Sequence, residues 1–300
     1  MRLLIIVLLN SFFLSTAQAQ YQYVDIYRNG IMGVMFLEQN KYDSAELYLT
    51  RALDLTPEKL QYPQYLWLTR LAWMHHDTLK TQKCLKALSC IYPKDSVLTY
   101  LNDYEGPPMA RQTFDMLYKP DCQLKQEKSP FPWYPEELDT LIMKMRDRDQ
   151  AVRRKANNYK GERTEEWIKK MEQEMKDVDS LNFIDLKYAM EYYHLPHLRG
   201  NLQGSFVTLV MHIDNYHRFY QVHKFLLRSL TEGNFCPTHY AYAFDRSLMA
   251  SGLSPHYYWF IPGSADAEKY KPAPEDVPRV NAAREAIGLP PYPAWTGWSY

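Results

Sequence analysis

The stretch LVMHIDNYHRFYQVHKFLL, residues 209–227, sets His212, Asp214, His217, Gln221 and His223 in otherwise apolar and aromatic sequence. Imidazoles and carboxylates are the side chains that ligate metals or move protons near neutral pH. On a continuous helix, Asp214, His217 and Gln221 share one face, while His212, Tyr216 and His223 share another. The five therefore do not converge from this segment alone, and no metal or cofactor is assigned. His212 ends the apolar run LQGSFVTLVMHI over 202–213, so it is expected to be buried and to bond a partner on another helix.

Two other runs offer that partner. A helix opens at Pro135-Glu136-Glu137 and carries Leu138, Ile142, Met145, Val152 and Ala156 on one stripe, which Asp149 interrupts. A buried carboxylate left alone costs several kcal/mol or is neutralised, so Gln150 beside it and Arg153 one turn on are expected to satisfy it. In THYAYAFDRSLMASG, residues 238–252, Ala241, Phe244 and Leu248 face inward, Asp245-Arg246 borders them, and Gly252 closes the helix. Asp149, Gln150, Arg153, His212, Asp214, Asp245 and Arg246 form the candidate polar cluster, with His212 expected to meet the helix of Asp149 or that of Asp245. The chain has no Gly-rich phosphate loop, nucleophile elbow, paired-His zinc helix or Cys-His signature. His194 and His197 flank Pro196 without a Glu at ligand spacing, and are read as structural or solvated.

The elements that position these residues are all helical. Gly is scarce at 11 residues, while helix formers are abundant. Residues 22–57 fit two amphipathic helices, near 24–39 and 42–54, with a turn at Gln39-Asn40-Lys41. Met32, Gly33 and Phe36 line the first, Ala45, Leu49 and Ala52 the second, and Pro57 ends the pair. These offsets resemble the tetratricopeptide repeat, in which small residues let paired helices approach. A second unit closes at Pro93, 36 residues after Pro57, with Tyr65, Leu68, Ala72, Leu85 and Leu88 inward and Thr69 and Thr81 at the small positions. Such arrays bind a peptide or protein on the concave side.

The expected organisation is a signal peptide at 1–19, repeats at 20–103, a Pro-rich linker at 104–135 with a short helix at 109–118, and an α-helical domain at 136–300. Within the last, a charged helix over 163–178 is followed by another, capped by Asp179 or Ser180 and ending near Tyr193. Asp214-Asn215 caps a helix that runs through Leu230 and stops at Gly233. A short terminal helix is stopped by Gly288.

MRLLIIVLLNSFFLSTAQAQ has a basic start, a short apolar core and Ala17-Gln18-Ala19, the pattern of a cleaved secretory signal. A periplasmic or extracellular location is expected, with no membrane-spanning helix. Lys+Arg and Asp+Glu balance at 35 each, which leaves no footprint for nucleic acid. Cys84, Cys90, Cys122 and Cys236 lack a dense spacing pattern and are read as small buried hydrophobes over disulfides.

Asp149-Gln150 with Arg153, Asn182, Pro196, His212-x-Asp214, Tyr240, Asp245-Arg246 with Gly252, and Arg284 followed by Gly288-Leu289-Pro290 occur in order over 136–295. This set resembles a bacterial family grouped as domain of unknown function 6624, which implies no activity. Where such proteins tend to carry a Gln and then Tyr-Gly-Thr-Gln, this chain has His256, Tyr258, Trp259 and Phe260. The first functional reading is a binding or scaffold protein with a buried Asp/Arg/His cluster. The alternative is an enzyme that uses Asp149, His212, Asp245 and Arg246 for acid–base or hydrolytic chemistry.

Overall fold

The computed structural model describes residues 23–55, 62–89, 94–102, 108–118, 136–193, 198, 201–260 and 265–292, and among them there are helices and no strand. The expected signal peptide at 1–19, Pro57, Pro93, Cys90, Cys122, His194, Pro196 and His197 lie outside the described residues. The chain forms two compact units, residues 1–130 with 288–290 and 299–300, and residues 131–287 with 291–298. No described helix is long and apolar enough to cross a membrane.

Unit 1 opens with α1 (residues 23–38) and α2 (Tyr42–Leu55), followed by α3 (Tyr62–Met74) and α4 (Thr78–Ser89). Each hairpin turns through a left-handed residue, Asn40 at φ 57° and His76 at φ 58°. The amides of Lys41 and Asp77 then close back on Phe36 O and Ala72 O, both at 2.8 Å. The two turns thus share one geometry. Gly33 shows why small residues matter here: a Cβ in its place would lie 2.5 Å from Leu49 Cγ. Ala45, Leu49 and Ala52 are buried against this approach. On α3, Leu66, Trp67, Leu68, Thr69, Leu71 and Ala72 are all buried, so this helix is sealed nearly all round.

The Pro-rich stretch expected as a linker is in part core. Met109, Phe114, Leu117 and Tyr118 pack with Leu66, Leu85, Leu88, Val97 and Leu101, bringing α5 (Lys94–Asn102) and α6 (Arg111–Leu117) into unit 1. Proline breaks helices, but it does not stop the apolar residues between breaks from joining a core. Cys84 is free and buried, and burial pushes its thiol up to about 11. Cys236 is likewise free.

Unit 2 begins with α7 (Glu136–Asn157), whose buried stripe is Leu138, Ile142, Met145, Asp149 and Val152. The next helix, α8, runs unbroken from Glu165 to Tyr193, which corrects the expected break at Asp179. No Gly or Pro interrupts those residues. Ser180 Oγ bonds the Lys176 carbonyl one turn back at 2.7 Å instead of capping a new helix. Arg153 meets Asp179 and Lys155 meets Glu174, so α7 and α8 run antiparallel. Against them pack α9 (Asn201–Met211) and α10 (Tyr216–Thr231), with α11 (Pro237–Ala250) on α9 and α10. After α12 (Ala265–Lys269) comes a 3-10 turn (Pro274–Asp276), and α13 (Val277–Ala286) ends at Gly288, whose φ is 83°.

Candidate functional site

The polar residues of unit 2 separate into two clusters. The first is built on Asp149, which is fully buried on α7. Its Oδ1 accepts from His212 Nδ1 at 2.7 Å and from Arg153 Nε at 2.9 Å, while Oδ2 accepts from Gln150 Nε2 at 2.8 Å. Burial alone would raise the Asp149 carboxyl, but the bonds from His212 and Arg153 outweigh it and hold the group below the ordinary carboxylate range. An ionised carboxylate only accepts, so His212 Nδ1 carries a proton and Nε2 is the free nitrogen.

His212 follows the last turn of α9, where its amide still reaches Thr208 O and Leu209 O at 3.2 Å. The chain then breaks, because Asn215 leaves helical geometry and caps α10 by accepting from the Arg218 amide at 2.9 Å. The break aims the imidazole across at α7. Its side chain is 16% exposed, and the ring nitrogen that meets Asp149 is Nδ1.

Arg153 extends the cluster to α8. Its Nη2 donates to Asp179 at 3.0 Å and 3.4 Å, and Nη1 lies 3.8 Å from Met175 Sδ. Beside it, Arg148 donates to Asn182 at 3.0 Å and pairs with Asp185, while Asn182 returns a bond to Met145 O at 3.1 Å. These bonds lock α7 to α8 on either side of Asp149. Asp214 pairs with Arg218 at 3.0 Å, and Arg218 also donates to Ser180 at 2.9 Å.

Asp149, Asp179 and His212 present ligand atoms within 4.8 Å of one another. Arg153 already lies against both carboxylates, and Asp149 has three donors on its two oxygens. The place of a cation is taken by the guanidinium. The arrangement is an oriented imidazole on an ion-pair relay.

The second cluster holds Asp245, which does not join the first. It is fully buried and accepts three backbone amides, from His256 at 2.7 Å and from Tyr257 and Trp259 at 2.9 Å. Burial pushes its carboxyl up to about 6, against the pull of those amides and of Arg284. Arg284 is itself fully buried, donates to Tyr257 O at 3.3 Å and sits 4.9 Å over the Trp259 ring. Between the bonded amides, Tyr258 is held at φ 51°, a left-handed backbone that favours Gly. The expectation for Arg246 is corrected: it is exposed, because the residue after a buried helical Asp points about 100° away.

The other histidines of the opening stretch scatter. His217 is exposed, Gln221 accepts from Lys187 at 3.2 Å, and His223 Nδ1 meets Tyr240 at 2.7 Å. Sequence reasoning missed Asp179, which it placed at a helix start. The signal was present: Asp179 interrupts the stripe of Met171, Met175, Phe183, Leu186 and Met190 much as Asp149 interrupts its own. Comparison with protein-family models, curated proteins and solved structures found no match to this chain.

Proposed function

We propose that this chain is an exported enzyme of acid–base type whose centre is His212, with the hairpins of unit 1 as an accessory docking part. One observation carries the reading: a sealed Asp149 holds His212 through Nδ1, and the imidazole side chain is still 16% exposed. Such a carboxylate fixes the tautomer and stabilises the imidazolium that forms when Nε2 takes a proton. A positioned imidazole of this kind contributes about 10²- to 10⁴-fold to a proton-transfer step. The chemistry it suits is removal of a proton from water, a hydroxyl or an amine that attacks an ester, glycoside or phosphoester. The secretory pattern of the first residues supports export and names no substrate.

The test is a hydrolysis screen with the mature chain on chromogenic esters, glycosides and phosphoesters, run beside His212→Gln. Activity that falls at least about 100-fold in the variant is expected. Equal rates for both proteins on every substrate overturn the reading.

A scaffold function is the second reading, favoured by the repeated hairpin turns and by an open groove along α7. That groove, of about 870 Å³, is lined by Glu136, Asp139, Lys144, Asp147 and Arg148 among others, and by none of the seven cluster residues. On that reading His212→Gln leaves partner capture intact, whereas Asp147→Lys in the groove abolishes it.

A further inference from the structure

We infer that Asp179 is the second proton-carrying side chain of the His212 site. The inference rests on the acid–base reading and adds to it a group able to deliver a proton as well as one able to remove it. Asp149 and Asp179 lie with ligand atoms within 4.8 Å, yet their surroundings differ. Three nitrogen donors converge on Asp149, from His212, Arg153 and Gln150. Among the described residues Asp179 receives one, the Arg153 Nη2 shared between its oxygens at 3.0 Å and 3.4 Å. Donors hold a carboxylate ionised, so the proton belongs on the group with fewer of them.

The charged groups facing Asp179 point the same way. From α7 come Asp149 and Arg153, from the turn after α9 come His212 and Asp214, and Arg218 of α10 is held on Asp214. Burial raises the Asp179 carboxyl, Arg153 and His212 offset part of that, and Asp149 and Asp214 add to it. Two carboxyls driven in opposite directions divide the work, one as a fixed anion and one as a proton carrier. Asp179 is also 13% exposed against 1% for Asp149, so only Asp179 can be reached.

The implied substrate has a leaving oxygen or nitrogen that must be protonated as it departs. His212 Nε2 takes the proton of the attacking water or hydroxyl, and the Asp179 carboxyl gives its own to the leaving atom. The site is then imidazolium and carboxylate, and one proton passing from His212 to Asp179 restores it.

The test follows the His212 ring by long-range proton–nitrogen spectra from pH 4 to 9, with the signal assigned by its loss in His212→Gln. Asp179→Asn still accepts from Arg153 but cannot carry the proton, and Asp179→Glu restores the carboxyl. The wild-type curve is expected to show two coupled steps. In Asp179→Asn one step should remain, because the group coupled to the ring no longer titrates. Asp179→Glu should recover both steps. An Asp179→Asn curve that overlays the wild type overturns the inference and leaves the acid–base reading standing. A ring that takes no proton at Nε2 in any of the proteins overturns both.

Discussion

Unit 2 holds two buried aspartates that do opposite things. Asp149 gathers side chains from α7 and from the turn after α9, and one of them, His212, still reaches solvent. Asp245 gathers backbone amides of the 256–259 turn, with Arg284 sealed beside it. A carboxylate spent on main-chain donors fixes a loop, and nothing about it can be exchanged. A carboxylate spent on an imidazole holds a group that can still react. On the proposed function, the contrast puts structure in the Asp245 cluster and chemistry in the Asp149 cluster, and it can be broken at several points.

The largest effect is expected at Asp245→Ala. Removing the acceptor strands three amides and leaves Arg284 without its nearby charge, at a cost of roughly 4 kcal/mol or more in urea unfolding. A loss under about 1 kcal/mol would mean that the turn does not depend on Asp245.

Next comes Asp149→Ala, expected to destabilise the protein by roughly 3–5 kcal/mol, as when one partner of a buried pair is removed. His212→Gln should cost only about 1–2 kcal/mol in the same assay, since Arg153 and Gln150 remain on Asp149. If the two variants were equally destabilised, His212 would be a structural strut and the contrast would fail.

The two aspartates also separate by pH. Asp245 has a folded value of about 6, above the unfolded one, so its contribution is greatest below about pH 4 and is lost as pH rises toward 6. That loss is roughly 2–3 kcal/mol. Asp149 lies below its unfolded value, so its contribution is present above about pH 4 and is lost as pH falls. Urea midpoints of wild type and Asp245→Asn between pH 4 and 7 should diverge accordingly. Parallel curves would remove Asp245 as the cause. The smallest effect belongs to Arg246→Ala, expected within about 0.5 kcal/mol because the side chain is exposed.

Much of this arrangement was legible in the sequence, for a physical reason. An acid on an apolar stripe must find a partner, so the spacing of Leu138, Ile142, Met145 and Val152 marked Asp149, and the apolar run before His212 marked its mate. Asp179 was hidden because Asp and Ser are also good helix caps, and only the absence of a breaker between Glu165 and Tyr193 decides between the two uses. Asp245 was legible as buried but not as separate. Its partners are backbone amides, which leave no trace in residue types. Arg246 was misplaced by adjacency, since neighbours in a helix do not share a face.

The contrast turns on whether His212 Nε2 can be reached from solvent in the folded protein. Carbethoxylation of native protein, mapped residue by residue by mass spectrometry, reads this directly, with exposed His217 as the internal reference. Nδ1 is engaged by Asp149 at 2.7 Å, so any adduct on His212 must form at Nε2. The expected result is modification of His212 in the native state at a rate within about ten-fold of His217, consistent with a partly open side chain. Modification of His212 only after the protein has been unfolded in denaturant would contradict the account and make the Asp149 cluster as structural as the Asp245 cluster.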